Sequence, residues 1–230
     1  MTGKRDGKVL IVGAGPAGVS TALFLSKKGI SSTVIDKEFF PRDKICGDGL
    51  TPWVVTMLHK LDMGLVEELR SSEHSMGWAG VDIFAPNFKK LTIANFYKKR
   101  PDEPPGYTIR RKELDEILIR KVKENPLIEL IEGVKITGFE ELENGTKLLT
   151  EDKDRTFVGD VVVYCDGANS EFSAKHGGMP KGHENWLTTI KTYYSGLYPD
   201  YKEETPEDYK NNKLELYCLN GILPGYLWIF

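Results

Sequence analysis

The chemistry legible in this sequence starts with glycine spacing. In Val9-Leu10-Ile11-Val12-Gly13-Ala14-Gly15-Pro16-Ala17-Gly18, an apolar run meets three closely spaced glycines. Gly13 permits a tight turn, Gly15 lets the backbone approach a pyrophosphate, and Gly18 lets a helix pack closely on a strand. A helix beginning there turns unpaired N–H groups and its positive dipole end toward phosphate oxygens. Asp36 ends the next apolar run, near the spacing of about 20 residues expected of an acid that binds a ribose hydroxyl. The bland reading of the same residues is a strand-helix-strand unit whose glycines serve only its turns.

Further on, Lys37-Glu38-Phe39-Phe40-Pro41-Arg42-Asp43-Lys44-Ile45-Cys46-Gly47-Asp48-Gly49-Leu50 brings cations, a cysteine and two glycines into one short stretch. Arg42 and Lys44 are suited to phosphate or carboxylate oxygens. Gly47 and Gly49 would let the backbone lie against a flat ring. A surface loop with solvated charges is the plainer reading of this composition. Asp160-Val161-Val162-Val163-Tyr164-Cys165 then reads as a strand covered on both faces. It leads into Asp166-Gly167, where open α/β sheets bind ligands, although an Asp-Gly turn alone would account for the pair. His59 and His74 lack partners at metal-ligand spacing, and no metal site is expected.

The elements that must position these residues follow from pattern. A helix runs from the glycine turn through Val19, Ala22 and Leu23 to a stop at Gly29. A strand over Ser32–Ile35 leads to Asp36. One helix is expected from Pro52 to about Arg70, its apolar stripe interrupted around Gly64. Residues 77–97 read as a hairpin turning at Pro86-Asn87, and Lys98–Gly106 as a loop. A helix through Ile117, Leu118 and Val122 stops before Pro126. Short strands are expected over Leu127–Ile131, Val134–Phe139, Thr146–Thr150 and Thr156–Val158, with a hairpin turn at Asn144-Gly145. Beyond Lys175, strands are expected over Thr188–Tyr194, Leu214–Cys218 and the aromatic Pro224–Phe230. The polar stretch Pro199–Lys213 is expected to be mobile.

The chain has 230 residues, enough for one large domain or two small ones. Its 40% hydrophobic and 28% charged content is that of a globular protein. A net charge of −3 without a basic run argues against nucleic acid as a partner. Cys46, Cys165 and Cys218 are too scattered for a disulfide framework or a zinc site, which suits a reducing compartment. Lys4 and Arg5 before an apolar run imitate a secretory signal, but the glycines and Pro16 interrupt that run. No stretch is long and apolar enough to span a bilayer, so a cytoplasmic location is expected.

Together these motifs resemble FAD-dependent enzymes of the para-hydroxybenzoate hydroxylase type. Gly13-Ala14-Gly15-Pro16-Ala17-Gly18 with Asp36 resembles their FAD fingerprint. Arg111, in Arg111-Lys112-Glu113-Leu114-Asp115, resembles their second FAD-contacting arginine. Asp166-Gly167 resembles their Asp-Gly motif, which lies near both FAD and the nicotinamide donor. Within that group the likeness is to the geranylgeranyl reductase family: Pro41 to Leu50 resembles its segment beside the flavin, and Tyr226-Leu227-Trp228-Ile229-Phe230 the start of its Tyr-x-Trp-x-Phe-Pro substrate motif. Flavin-dependent halogenases share a similar cysteine-glycine loop, but their tryptophan motif has a second Trp where this chain has Tyr226.

The resemblance implies an α/β (α+β) fold, with a Rossmann-like FAD-binding domain and an inserted, mostly antiparallel substrate domain. It assigns residues 1–74 and 106–174 to the first, and 75–105 and 175–230 to the second. The implied activity is reduction of carbon–carbon double bonds, in geranylgeranyl-type isoprenoid chains, by hydride transfer from reduced flavin. NAD(P)H or ferredoxin would donate the electrons. Gly13, Gly15, Pro16, Ala17, Gly18, Asp36, Lys37, Arg42, Lys44, Cys46, Gly47, Arg111, Asp166 and Gly167 are the implied cofactor contacts. Tyr226, Trp228 and Phe230 would line an apolar substrate pocket. Cys46 is either a proton donor in catalysis or a small residue packed against the flavin. A prenyl substrate further implies contact with a membrane surface. The family's Gly-Asp motif, which holds the ribityl chain, would lie beyond Phe230, so the chain is expected to be the N-terminal part of a longer enzyme. Two alternatives stand beside the reductase: a monooxygenase or halogenase acting on an aromatic substrate, and a truncated, non-catalytic nucleotide-binding domain.

Overall fold

A computed structural model describes residues 8–94, 102–178, 189–194, 210–222 and 225–230. Several sequence expectations lie outside the described residues: Lys4 and Arg5, Asn95, the loop over 98–101, Thr188, the polar stretch 199–209 and Pro224. The elements in chain order are β1 (Val9–Val12), α1 (Pro16–Ser26), β2 (Ser32–Ile35), β3 (Gly49–Leu50), α2 (Pro52–Leu61) and α3 (Met63–Ser71). There follow β4 (Ser75–Trp78), β5 (Gly80–Phe84), β6 (Lys90–Ala94), β7 (Gly106–Ile109), α4 (Arg111–Lys123) and β8 (Ile128–Ile131). The remainder are β9 (Ile136–Leu142), β10 (Gly145–Thr150), β11 (Thr156–Gly159), β12 (Val161–Tyr164), α5 (Glu171–His176), β13 (Lys213–Tyr217) and β14 (Leu227–Ile229).

The chain divides into two compact units, Met1–Asp43 with Leu114–Thr189 and Lys44–Glu113 with Ile190–Phe230. Residues 44–74 and 106–113 thus lie in the second unit, and 175–189 in the first. The sequence reading draws its boundaries elsewhere.

The first unit is built on a parallel sheet in the order β12-β1-β2-β8. Leu10 and Ile11 on β1, fully buried, are flanked by Val162 and Val163 on one side and Thr33 and Val34 on the other. Pro16 opens α1 from its first turn, where its missing N–H removes nothing. The helix buries Gly18, Val19, Ala22 and Leu23. A three-stranded antiparallel sheet, β11-β10-β9, turns at Gly145, whose φ of 115° suits the expected Asn-Gly turn. Leu10, Val12, Ile35, Val134 and Leu148 form one buried cluster with Phe139, Phe157 and Tyr164 packed against it. The apolar run over β12 is not covered on both faces. Val161 is 52% exposed and Val162, Val163 and Tyr164 are only half-buried, on a strand that pairs with β1 alone among the described residues.

The second unit holds a four-stranded sheet, β14-β13-β5-β6, and a three-stranded antiparallel sheet, β3-β7-β4. β13 runs parallel to β5, whereas β14 and β6 pair antiparallel. The single helix expected over 52–70 is two. Asp62 is extended (φ −162°, ψ 126°), and its carboxylate accepts the Gly64 N–H at 2.8 Å, which caps the start of α3. The expected hairpin forms as β5–β6, but its alternation buries a charge. Asp82, opposite Thr92, accepts hydrogen bonds from the Thr92 hydroxyl at 2.6 Å and Lys90 Nζ at 3.0 Å. Burial pushes the Asp82 carboxyl up, but those two donors and the charges of Lys90 and Lys213 outweigh it and hold the pKa below the ordinary value. Residues 189–194, expected as a strand, form no regular element. Strands β3, β4 and β7 and helix α5 are additions to the sequence expectation.

Candidate functional site

In the first unit the glycine turn between β1 and α1 is tight and closely packed. Gly13 sits at φ 102°, and a Cβ there would stand 2.4 Å from the Cys165 carbonyl oxygen and 3.1 Å from Asp166 Cα. The turn between β1 and α1 is therefore pressed against the end of β12. A Cβ on Gly18 would fall 1.8 Å from the Gly13 oxygen, so only glycine lets α1 approach this closely. Gly15 is different: a Cβ there would meet nothing within 4 Å. It is the N-cap residue of α1, and no side chain caps the helix or places an acid in its first turn. Pro16 has no N–H to offer, so the α1 N-terminus presents the N–H groups from Ala17 onward and a positive dipole end to open space.

Asp36 follows β2 and is 7% exposed. Its carboxylate accepts the Ala14 N–H at 2.6 Å through Oδ2 and the Glu38 N–H at 2.9 Å through Oδ1. Those bonds hold it against the glycine turn, and each oxygen keeps a further lone pair for a hydroxyl donor. The Arg42 guanidinium lies 5.0 Å from the centroid of the Phe40 ring, and its Nε is buried without a hydrogen-bond partner among the described residues. A buried, unmatched guanidinium N–H fits an anionic oxygen. Lys37 extends into solvent, 3.9 Å from Glu38.

Asp166 turns to its own chain. Its Oδ1 accepts the Ser173 hydroxyl at 3.0 Å and its Oδ2 the Ser170 hydroxyl, while Ser170 caps α5 by accepting the Ser173 N–H. Gly167 follows at φ 95°. The Tyr164 ring stacks on Phe172 at 4.0 Å. Burial, reinforced by the Asp166 charge, pushes the Tyr164 phenol up to about 12. Burial likewise pushes the Cys165 thiol up, with Asp166 adding and a hydrogen bond with Thr21 opposing.

In the second unit the loop Cys46–Gly49 is gripped from several sides. Arg111, the first residue of α4, donates from Nη1 to Cys46 Sγ at 3.4 Å, and its backbone N–H donates to Asp48 Oδ1 at 3.1 Å. The Asp48 carboxylate also accepts Lys191 Nζ at 2.7 Å and the Tyr193 hydroxyl at 2.9 Å. Arg110 and Lys191 both lie against the Tyr193 ring, at 5.3 and 4.7 Å from its centroid. For Lys191, burial works to lower the pKa, but its bonds with Asp48 and Tyr193 and their charges prevail and raise it. Lys44, half-buried, opens this unit, and Gly47 is exposed with open space beyond its Cα.

The expected substrate residues stand on one face of β14 and its ends, as their alternation requires. Trp228 stacks on Phe230, centroids 6.0 Å apart and planes within 4°, and meets Tyr226 edge-on at 5.5 Å. A Cβ on Gly49 would come 2.8 Å from Phe230 Cε1, so that glycine lets the aromatic strand close on the cysteine loop. The structure thus joins Cys46, Arg111, Gly49 and Phe230 in the second unit, and joins Gly13, Asp36 and Asp166 around the first turn in the other. Sequence reasoning missed Asp48, Lys191, Tyr193 and Arg110. The alternate spacing of Lys191 and Tyr193 was the available signal, but it pointed to a strand rather than to a shared partner.

Comparisons with known proteins show the family and the fold. The family model described as FAD binding domain matches residues 6–196. The chain is 33% identical to menaquinone reductase of Mycobacterium tuberculosis, over 96% of this chain and 51% of that protein. It is 27% identical to digeranylgeranylglycerophospholipid reductase of Methanococcus vannielii, over 96% of this chain and 52% of the relative. The chain therefore spans about half the length of these curated relatives. Among solved structures, p-nitrophenol 4-monooxygenase PnpA of Pseudomonas putida superposes with a TM-score of 0.62 at 18% identity, covering 74% of this chain and 43% of that one. That likeness confirms the mixed α/β fold. The chain belongs to the FAD binding domain family, among the FAD-dependent oxidoreductases.

Proposed function

We propose that this chain supplies the dinucleotide cradle and part of the substrate wall of an FAD-dependent reductase that saturates carbon–carbon double bonds in isoprenoid chains. The observation that carries the reading is the Tyr226-Trp228-Phe230 face, closed onto the cysteine loop at Gly49. Three aromatic side chains in register make an apolar wall, which recognises hydrocarbon by excluding water. The names of the two reductases cited above, one for a quinone and one for a geranylgeranyl lipid, support the same substrate chemistry.

FAD, when bound, supplies the redox chemistry. The residues present fit it. Gly15 and the open N-terminus of α1 accept the diphosphate, Asp36 accepts from a ribose hydroxyl, and the unmatched Arg42 Nε–H meets anionic oxygen. Lys37, Lys44, Gly47, Asp166 and Gly167 complete the proposed cofactor contacts. Cys46 and Arg111 hold a thiol and a guanidinium on the loop that reaches Phe230 at Gly49, and reduction of an alkene needs a weak acid to deliver a proton to a carbon centre. NAD(P)H or ferredoxin is the proposed electron source, and a lipid substrate is proposed to be taken from a membrane surface. Among the described residues no helix is long and apolar enough to cross a membrane.

The test is anaerobic incubation of the protein with FAD, a chemical reductant and a prenylated quinone or lipid, followed by mass spectrometry. Gain of two hydrogens per saturated bond supports the reductase. Turnover that appears only with oxygen would replace it with a monooxygenase or halogenase, and a protein that takes up no flavin would replace it with a binding module.

A further inference from the structure

We propose that Asp48 is a positioning residue of this site, setting the Arg111 guanidinium against the Cys46 thiol. The inference deepens the reading above and rests on the cysteine loop facing the chemistry. Asp48 is 5% exposed. A carboxylate that buried is tolerated only with a full set of donors, and Asp48 has three, from two distant stretches of chain: the Arg111 N–H, Lys191 Nζ and the Tyr193 hydroxyl. Its backbone oxygen also accepts the Ile109 N–H at 3.0 Å. Both ends of Arg111 are thereby held to one loop, the backbone by Asp48 and the guanidinium by Cys46 two residues earlier.

Stability alone gives little reason for this arrangement, since a buried ion pair seldom exceeds a well-packed apolar substitute. What it supplies is geometry. The backbone bond fixes where α4 begins, and so the point from which the Arg111 side chain reaches the sulfur. Asparagine at this position would lose the negative charge that holds Lys191 and, by turning its NH2 toward the Tyr193 hydroxyl, would force that hydroxyl to reverse its bond. The loop would then hold the start of α4 more weakly, and the guanidinium with it.

The readout is the alkylation rate of Cys46 by iodoacetamide, resolved from Cys165 and Cys218 by peptide mass spectrometry. It is measured for the unmodified chain, Asp48→Asn, Arg111→Met and the double variant. If Asp48 acts through Arg111, D48N alters the Cys46 rate at least about threefold, in the same sense as R111M, and the double variant matches R111M because the two effects share one route. Cys165 and Cys218 keep their rates. Three results would overturn the proposal: an unchanged Cys46 rate in D48N, effects that multiply in the double variant, or all three cysteines changing together, which would make Asp48 merely structural. Should D48N not fold, Asp48→Glu keeps the charge and displaces the carboxylate by one methylene, and it enters the same cycle. No flavin, substrate or turnover takes part in this assay. A failed reductase test would therefore leave its result standing, and the converse holds too.

Discussion

The two later glycines of the first turn separate shape from binding, and their alanine variants should behave differently. At Gly18 a Cβ would lie 1.8 Å from the Gly13 oxygen, against the 3.0 Å below which real Cβ atoms essentially never come, so α1 or the turn must yield by about 1.2 Å. The helix face carrying Val19, Ala22 and Leu23 is buried, so that shift is resisted by the packed core. Overpacking of this kind costs about 1–3 kcal/mol. Alanine's better helix propensity returns up to about 1 kcal/mol of it. A net loss of ~1–2 kcal/mol should lower Tm by roughly 2–8 °C for a chain of this size. Gly15→Ala meets nothing within 4 Å, and Gly15 has an ordinary φ of −70°. Its small loss as an N-cap, of the order of 0.5 kcal/mol, is offset by a comparable loss of unfolded-chain entropy, leaving Tm within about 2 °C. Its methyl group, however, fills the open space through which the proposed diphosphate would reach the helix N–H groups. FAD affinity should fall at least tenfold, or about 1.4 kcal/mol. Flavin fluorescence titration and thermal unfolding on the same preparations test both statements. A Gly15→Ala protein that binds FAD as tightly as the unmodified chain, or one that melts as low as Gly18→Ala, would refute the cradle.

Other outcomes follow from the same geometry. The Asp82 carboxyl is held below its ordinary pKa when folded, so its contribution to stability is complete above about pH 4 and fades as pH falls through the folded value. Asp82→Asn should therefore flatten the acid limb of a urea-denaturation series, and an unaltered limb would show that Lys90 and Thr92 give no such stabilisation. Asp62→Ala removes the cap of α3 and should cost about 1 kcal/mol in denaturant unfolding without changing the m-value. Gly49→Ala must displace the Phe230 ring, which a Cβ would approach to 2.8 Å. It should raise KM for the proposed isoprenoid substrate while leaving FAD affinity as it was, and an effect on FAD alone would detach Phe230 from the proposed substrate wall.

The elements around the first turn were legible because each is set by local chemistry. The apolar run of β1, the three glycines, Pro16 at the helix start and Asp36 after β2 each carry a backbone or burial requirement readable from a few neighbouring residues. The Asn144-Gly145 hairpin and the stop of α4 before Pro126 are of the same kind. The break at Asp62 was misread because a continuous helical stripe and a capped pair of helices differ by one side-chain bond to Gly64. The exposure of Val161 was misread because an apolar run does not tell which faces of its strand other elements cover.

What the sequence determined by itself was the glycine turn between β1 and α1 and the aromatic alternation of Tyr226, Trp228 and Phe230, since strand period places those three on one face. Tertiary structure alone decided that Asp48 is a buried hub. Its partners Arg111, Lys191 and Tyr193 lie far along the chain, and the free energy of a buried carboxylate depends on which donors the fold brings to it. The pairing of Arg111 with Cys46 and the fit of Phe230 over Gly49 depend on the same long-range packing, which no local pattern encodes.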